Sequence, residues 1–242
     1  VYYLDGFMSD MRVVNGTAVY TSNFTPPTAP LTAITNTKLL LNYTNAAMFD
    51  QSGKTNVETV DNAQLDTSVK KFGSASAEFD GSGDILTMPQ STFIPFASED
   101  WTVECFVRMN SVSGGYQCIF HASNGLQFMV YQDQLFLNIN DTDDSSGYLI
   151  QAWGTDGQIA AADTWYHVAA YRVGSAFYTS VNGSVSSMGS SSGVIANPVQ
   201  FPCEISWVYY PFDGYIDEFR ITRKARYGSS NFTPPIKSLP NL

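Results

Sequence analysis

Apolar and polar side chains alternate with a period of two along much of this chain. Trp101-Thr102-Val103-Glu104-Cys105-Phe106-Val107 is a clear run, with Trp101, Val103, Cys105 and Val107 on one face. A period of two is the mark of a strand whose one face is buried. Alternating or β-rich runs recur at 38–43, 76–79, 85–88, 101–109, 117–121, 126–131, 134–140, 148–153, 165–173, 176–181, 204–208 and 214–222. Gly73, Gly81-Ser82-Gly83, Gly114-Gly115, Asn124-Gly125 and Asn182-Gly183 separate them, all residues that tolerate φ > 0. Asn182-Gly183, flanked by 177–181 and 184–188, predicts a tight hairpin. The serine-rich run 186–192, with Gly189, reads as a loop. No stretch holds a helical period over three turns, and 91–99 has room for one helical turn at most. Short strands with turns roughly every 8–12 residues predict an all-β antiparallel sandwich or barrel.

The chain also says nearly the same thing twice. Asp5-Gly6-Phe7-Met8-Ser9-Asp10-Met11-Arg12-Val13 is followed by Ser22-Asn23-Phe24-Thr25-Pro26-Pro27. Asp213-Gly214-Tyr215-Ile216-Asp217-Glu218-Phe219-Arg220-Ile221 is followed by Ser230-Asn231-Phe232-Thr233-Pro234-Pro235. Arg12 and Arg220 stand 208 positions apart, as do Phe24 and Phe232. The intervening stretches keep step if one residue is dropped and one added around Thr17 and Gly228. That period is too long for a solenoid unit and fits a whole domain. Residues 1–24 therefore read as the closing strands and tail of a preceding repeat. Residues 25–37 read as an extended Pro/Thr-rich linker, 38–236 as one complete β-sandwich, and 237–242 as the start of the next linker. A start at Val1, without Met or signal peptide, agrees with a piece of something longer. A second arrangement is open: residues 1–14 pair into the sheet edge of the same sandwich, making the array a series of strand-exchanged units.

Charge narrows the partners. The formal net charge is −10 and Lys and Arg are not clustered. Such a chain neutralises phosphates poorly, which argues against nucleic acid. No apolar run approaches the length of a membrane-spanning helix, and Leu39-Leu40-Leu41 reads as strand core. Cys105, Cys118 and Cys203 form neither a disulfide framework nor a zinc pattern. Cys105 sits on the apolar face of its strand and reads as a buried free thiol, with a Cys105–Cys118 bridge between neighbouring strands as the alternative.

Five segments, in order, resemble the laminin-G-like, concanavalin A-like jelly-roll family. They are Ala77-Glu78-Phe79-Asp80-Gly81-Ser82-Gly83-Asp84-Ile85-Leu86, Asp100-Trp101-Thr102-Val103-Glu104-Cys105-Phe106-Val107, Thr164-Trp165-Tyr166-His167-Val168-Ala169, Val181-Asn182-Gly183, and 212–221. They cover roughly 38–223. The extension Ala225-Arg226-Tyr227 to Asn231-Phe232-Thr233-Pro234-Pro235 resembles the tail of such domains in bacteriophage appendage proteins, where they occur in tandem. A tandem cell-surface adhesin is the competing setting. The resemblance implies a repeated, non-catalytic module on a virion appendage or other extracellular surface. Its partners would be neighbouring repeats and a host surface glycan or protein. Six Asn-x-Ser/Thr sequons, at Asn15, Asn23, Asn42, Asn140, Asn182 and Asn231, would be glycan acceptors in a eukaryotic secreted protein. In a phage protein they are coincidental.

The residues offer little for catalysis. Glucanases of this fold place carboxylates two and four residues apart on one strand face, and this chain has no Glu-x-Asp-x-x-Glu run. Asp217 and Glu218 are adjacent, so they point to opposite faces. Asp217 is expected to organise a nearby loop and Glu218 to face solvent. His121 and His167 have no nucleophile elbow to serve, and His167 reads as a sheet residue. Calcium wants six to eight oxygens from flexible loops. The turn Asp80-Gly81-Ser82-Gly83-Asp84 offers some, and the resemblance brings Asp217 to it. Asp141, Asp143 and Asp144, in a run of oxygen-bearing side chains, offer a second place. Both also read as solvated turns. For a sugar, which is held by aromatic faces and fixed polar groups, Tyr116, Tyr148 and Trp153 are the candidates, with Trp207-Val208-Tyr209-Tyr210 beside them. Trp101 and Trp165 are assigned to core. The competing roles are a structural spacer and, least favoured, a glycan hydrolase.

Overall fold

The computed structural model describes residues 6, 9–41, 48, 50, 52, 55–89, 98–122, 125–140, 147–195 and 202–240. The chain forms two compact units, Val1–Ala47 and Met48–Leu242. In the first, β1 (Met11–Val14) pairs antiparallel with β2 (Thr37–Leu41), Met11 opposite Leu41 and Val13 opposite Leu39. The strand expected at 38–43 is thus β2, and its ladder partner is β1. The first unit runs to Ala47, and the pairing of β1 with β2 ties 37–41 to the N-terminal segment.

The second unit holds fourteen described strands in two antiparallel seven-stranded sheets. The short edge strands β3 (Glu58–Val60) and β4 (Gln64–Asp66) come first, then β5 (Ser76–Asp80), β6 (Ile85–Met88) and β7 (Trp101–Met109). A meander follows: β8 (Tyr116–Ala122), β9 (Leu126–Tyr131), β10 (Gln134–Asn140) and β11 (Tyr148–Trp153). The hairpin strands β12 (Trp165–Val173), β13 (Ala176–Val181) and β14 (Ser184–Ser190) come next, then β15 (Cys203–Ile205) and β16 (Asp213–Thr222). The front sheet runs β11-β10-β9-β8-β15-β6-β3, and the back sheet β14-β13-β12-β7-β16-β5-β4. Phe79, Trp101, Val103, Cys105, Val107, Ile119, Phe128, Leu137, Val168, Phe177 and Phe212 fill the space between them. Their hydrophobic burial is the main stabilising term.

Local chemistry sets the elements. Asn182 and Gly183 have φ of 48° and 82°, the two positive values that a tight hairpin requires, and β13 pairs with β14 across them. The loop expected at 186–192 is strand as far as Ser190. Serine is acceptable at these positions because β14 is an edge strand, hydrogen-bonded on one side only. Strands β3 and β4 escaped the sequence pattern because each is three residues long and polar. Ser206, at φ 66°, ends β15 three residues short of the expected 208 and turns Trp207-Val208-Tyr209-Tyr210 out of the sheet.

The central back-sheet strands β7 and β12 are buried on both faces. The outer face of β7, carrying Thr102, Glu104 and Phe106, is covered by two segments. Phe72 meets Phe106 edge-on at 5.2 Å. The C-terminal stretch 223–235 lies over the rest as a latch. Thr102 Oγ1 donates to the Lys224 carbonyl at 2.8 Å and accepts from the Arg226 amide at 3.1 Å. Tyr171 donates to the Gly228 carbonyl, and the Val185 amide donates to Asn231. The Phe232 amide donates to the Gly183 carbonyl at 3.0 Å. Tyr227 and Phe232 stack at 3.8 Å and 7°, with His167 edge-on to both.

Cys105, Cys118 and Cys203 are free and buried. Cys105 faces the inter-sheet core, whereas Cys118 packs with Met129 and Phe136 on the other side of the front sheet. Burial, reinforced by nearby carboxylates, pushes the thiols up, Cys203 to about 12. Reductant should leave the melting temperature unchanged, and a thiol reagent should modify nothing until denaturant is added. Rapid labelling of the native protein would contradict this placement.

Candidate functional site

On the outer face of the front sheet Cys118, Met129 and Phe136 form a small buried cluster, and Tyr116 and Trp207 pack against it. Period-two alternation sends Tyr116 and Cys118 of β8, Met129 and Tyr131 of β9, and Phe136 of β10 outward, while Val130, Leu135 and Leu137 point in. Cross-strand register places Tyr116 opposite Tyr131, Met129 opposite Phe136, and Phe136 opposite Trp153. The rings therefore touch in series. Trp153 lies 4.9 Å from Phe136, Phe136 5.1 Å from Tyr116, and Tyr116 5.6 Å from Tyr210. Tyr210 and Tyr209 each lie 5.2 Å from Trp207. Trp207 stacks on His121 at 4.2 Å and 15°.

A polar row crosses the same face beside these rings. The ladder sets Gln151 opposite Asn138, Asn138 opposite Gln127, Gln127 opposite His121, and His121 opposite Glu204. Asn138 donates to Gln127 at 3.0 Å, and its own Oδ1 is buried with no hydrogen-bond partner. His121 Nδ1 lies 3.7 Å from a Glu204 oxygen. None of the five row residues is Lys or Arg. The exposed rings of Trp153, Tyr209 and Tyr210, with buried Phe136 between them and the row beside them, supply apolar faces with adjacent donors and acceptors, the chemistry that holds a hydroxylated ring.

The structure brings two of the three proposed sugar residues together. Trp153, 40% exposed, and half-buried Tyr116 both pack against Phe136. Tyr148 is 58% exposed but stands at the other end of β11, about 17 Å along the strand from Trp153. Tyr210 of the turn 207–210 lies against Tyr116, and Trp207 lies against Tyr210. Tyr131, Phe136, His121, Gln127 and Asn138 were missed. Their signal was the alternation of β9 and β10, whose outward positions are aromatic or amide-bearing where an unused solvent face would carry charge.

Of the carboxylates proposed for calcium, Asp80 and Asp84 share a turn, and Asp217 does not join them. Asp80 accepts from the Ser82 amide and from Asn62. Buried Asp84 accepts from the Asn62 and Asp80 amides, and burial, with Asp80 and Asp61 nearby, raises its carboxyl above the ordinary value. Asp217 is remote from this turn. Asp80 pairs with Asp213, and Asp217 lies four residues further along β16, about 13 Å away. It accepts the Lys71, Phe72 and Glu218 amides and so holds the 70–72 turn over Phe106. Among the described residues no three His, Cys, Asp or Glu side chains are placed to hold one metal ion. Asp141, Asp143 and Asp144 lie outside the described residues.

His167 is buried under the latch, its Nε2 3.2 Å from Glu104. The same carboxylate accepts from Arg220 at 2.7 Å and Tyr227 at 2.6 Å, and Arg226 stands at 3.5 Å. Glu104 and His167 have no exposed side-chain surface, whereas Arg220 and Arg226 keep 15% and 21% of theirs.

Comparisons with known proteins agree with the fold. The binding domain of Paraclostridial Mosquitocidal Protein 1 superposes with a TM-score of 0.54 at 14% identity, covering 72% of this chain and 45% of its own. The ligand binding domain of Botulinum neurotoxin serotype D, solved with N-acetylneuraminic acid, superposes with a TM-score of 0.54 at 15% identity, covering 72% and 44%. The chain thus spans less than half the length of these structures, and the likeness is one of fold. No curated protein is significantly similar in sequence. The concanavalin A-like lectin/glucanases superfamily, in its laminin-G form, matches residues 80–229. With the two antiparallel sheets and the core between them in place, this chain belongs to that superfamily.

Proposed function

We propose that the chain is a non-catalytic binding module that takes up a surface glycan on the outer face of its front sheet. The observation that carries this reading is the Trp153–Phe136–Tyr116–Tyr210–Trp207 platform beside the Gln151–Asn138–Gln127–His121–Glu204 row. The row has no Lys or Arg and the chain is acidic, so neutral sugars suit it better than sialylated ones. The setting is extracellular, on a virion or cell-surface appendage. The 208-residue repeat supports it, because copies in series multiply weak contacts by effective concentration.

The test is a glycan array probed with the chain displayed multivalently, with calcium and with chelator. Neutral glycans are expected to bind, and Trp153→Ala is expected to weaken binding about tenfold without lowering the melting temperature. Loss of binding in chelator would assign a role to calcium that the placed carboxylates do not suggest. Silence at high valency would sink the glycan reading and favour the spacer role. Shortened oligosaccharide in the same wells would sink the non-catalytic reading.

A further inference from the structure

The N-terminal unit holds a second latch. Residues 10–31 share with residues 218–239 a set of local features that their sequences alone do not show. Asp10 and Glu218 occupy equivalent repeat positions, and both are non-glycine residues at positive φ, 52° and 54°. The Asp10 carboxylate accepts from the Leu31 amide, and the Glu218 carboxylate accepts from the Leu239 amide, again at equivalent positions. Strand β1, Met11–Val14, corresponds to the second half of β16. Tyr20 and Phe24 stack at 3.7 Å and 11°, as Tyr227 and Phe232 do at 3.8 Å and 7°.

What differs is what lies underneath. Tyr227 and Phe232 pack on His167 and Tyr171, and Arg220 reaches Glu104. Tyr20 and Phe24 are 46% and 52% exposed. Arg12, the counterpart of Arg220, donates to the Thr32 carbonyl. A stacked aromatic pair with about half its surface in water is a latch without a sheet to cover.

We infer that residues 10–31 are the latch for the back sheet of a second copy of this sandwich. Tyr20 and Phe24 take the places of Tyr227 and Phe232, and Arg12 takes that of Arg220 on the Glu104 of that copy. Each copy in a series then closes on a segment that leads directly into the next, so neighbours are joined through a packed sheet face. This inference is independent of the glycan reading.

The chain's own sandwich is the test receptor. Residues 223–239 are replaced by the sequence of residues 15–31, which is equally long, leaving the rest of the chain intact. The graft is expected to melt within about 5 °C of the parent, and the graft also carrying Tyr20→Ala and Phe24→Ala to melt a further ~10 °C lower. Two grafts that melt alike would overturn the inference, and so would a graft that does not fold. As a second measurement, residues 48–222 are fused ahead of residue 15 of the intact chain. Two protease-resistant sandwiches are expected, with Tyr20→Ala/Phe24→Ala exposing only the leading one. A leading sandwich that is digested with Tyr20 and Phe24 intact also refutes the assignment.

Discussion

Glu104→Ala is expected to lower the unfolding free energy by about 3–5 kcal/mol, the usual result of removing one partner from a buried ionic cluster. In a unit of this size that corresponds to roughly 10 °C in melting temperature. Glu104 is fully buried between β7 and the latch, and Arg220, Tyr227 and His167 all converge on it. Removing the carboxylate strands the Arg220 guanidinium, the Tyr227 hydroxyl and the His167 imidazole. The pH dependence has a definite sign. Burial alone would raise this carboxyl, but hydrogen bonds from His167, Tyr227 and Arg220 outweigh it and hold the group down from 4.5 to about 2. A depressed acid stabilises the fold fully above its unfolded value and loses that contribution as pH falls through the folded one. About 3 kcal/mol should therefore disappear between pH 4.5 and pH 2. Denaturant titrations of the parent and of Glu104→Gln at pH 7, 4.5, 3 and 2 measure it. If the two chains lose stability in parallel across that window, Glu104 is not the group responsible.

Gly183→Ala is expected to cost about 2–4 kcal/mol, more than its hairpin position alone explains. The position has φ +82°, and a Cβ there would collide with the Phe232 carbonyl oxygen. That oxygen belongs to backbone, so the latch must move, and Phe232 and Tyr227 leave their sites together. Gly174→Ala is the control. Its φ is also positive, but a Cβ there meets nothing within 4 Å, so about 1 kcal/mol is expected. Limited proteolysis separates the two effects. Gly183→Ala should open a cleavage region within 223–235, and Gly174→Ala should not. Equal stability and equal digestion of the two variants would show that the latch does not bear on Gly183.

The fold was legible because its causes are local. Alternation in 101–107 and 126–140, Asn182-Gly183, and the glycines at 81 and 83 each act within a few residues. The latch was legible only as a repeated string. Its function depends on Glu104 and Gly183, which lie far away in sequence. The aromatic face of the front sheet was half-legible. Trp153 and Tyr116 could be named one by one, but their adjacency depends on the register of β8 to β11, which no single strand encodes. Asp217 shows the opposite failure. Its likeness to a family position suggested a shared site with Asp80, whereas the ladder between β16 and β5 keeps the two apart.

The place of β16 in the back sheet also sets the timing of synthesis. This strand, the last of the described strands of the sandwich to be synthesised, pairs with β7 and β5 near the middle of its sheet. Until residue 222 is available, β7 and β5 have no common neighbour, and β7 keeps an unpaired edge. Contacts spanning more than a hundred residues, such as Arg220 to Glu104, close late and slowly. A nascent chain of this module therefore carries an adhesive strand edge for most of its translation. In a polypeptide of many such modules, each would have to close before the next exposed its own edge, or the two would pair wrongly.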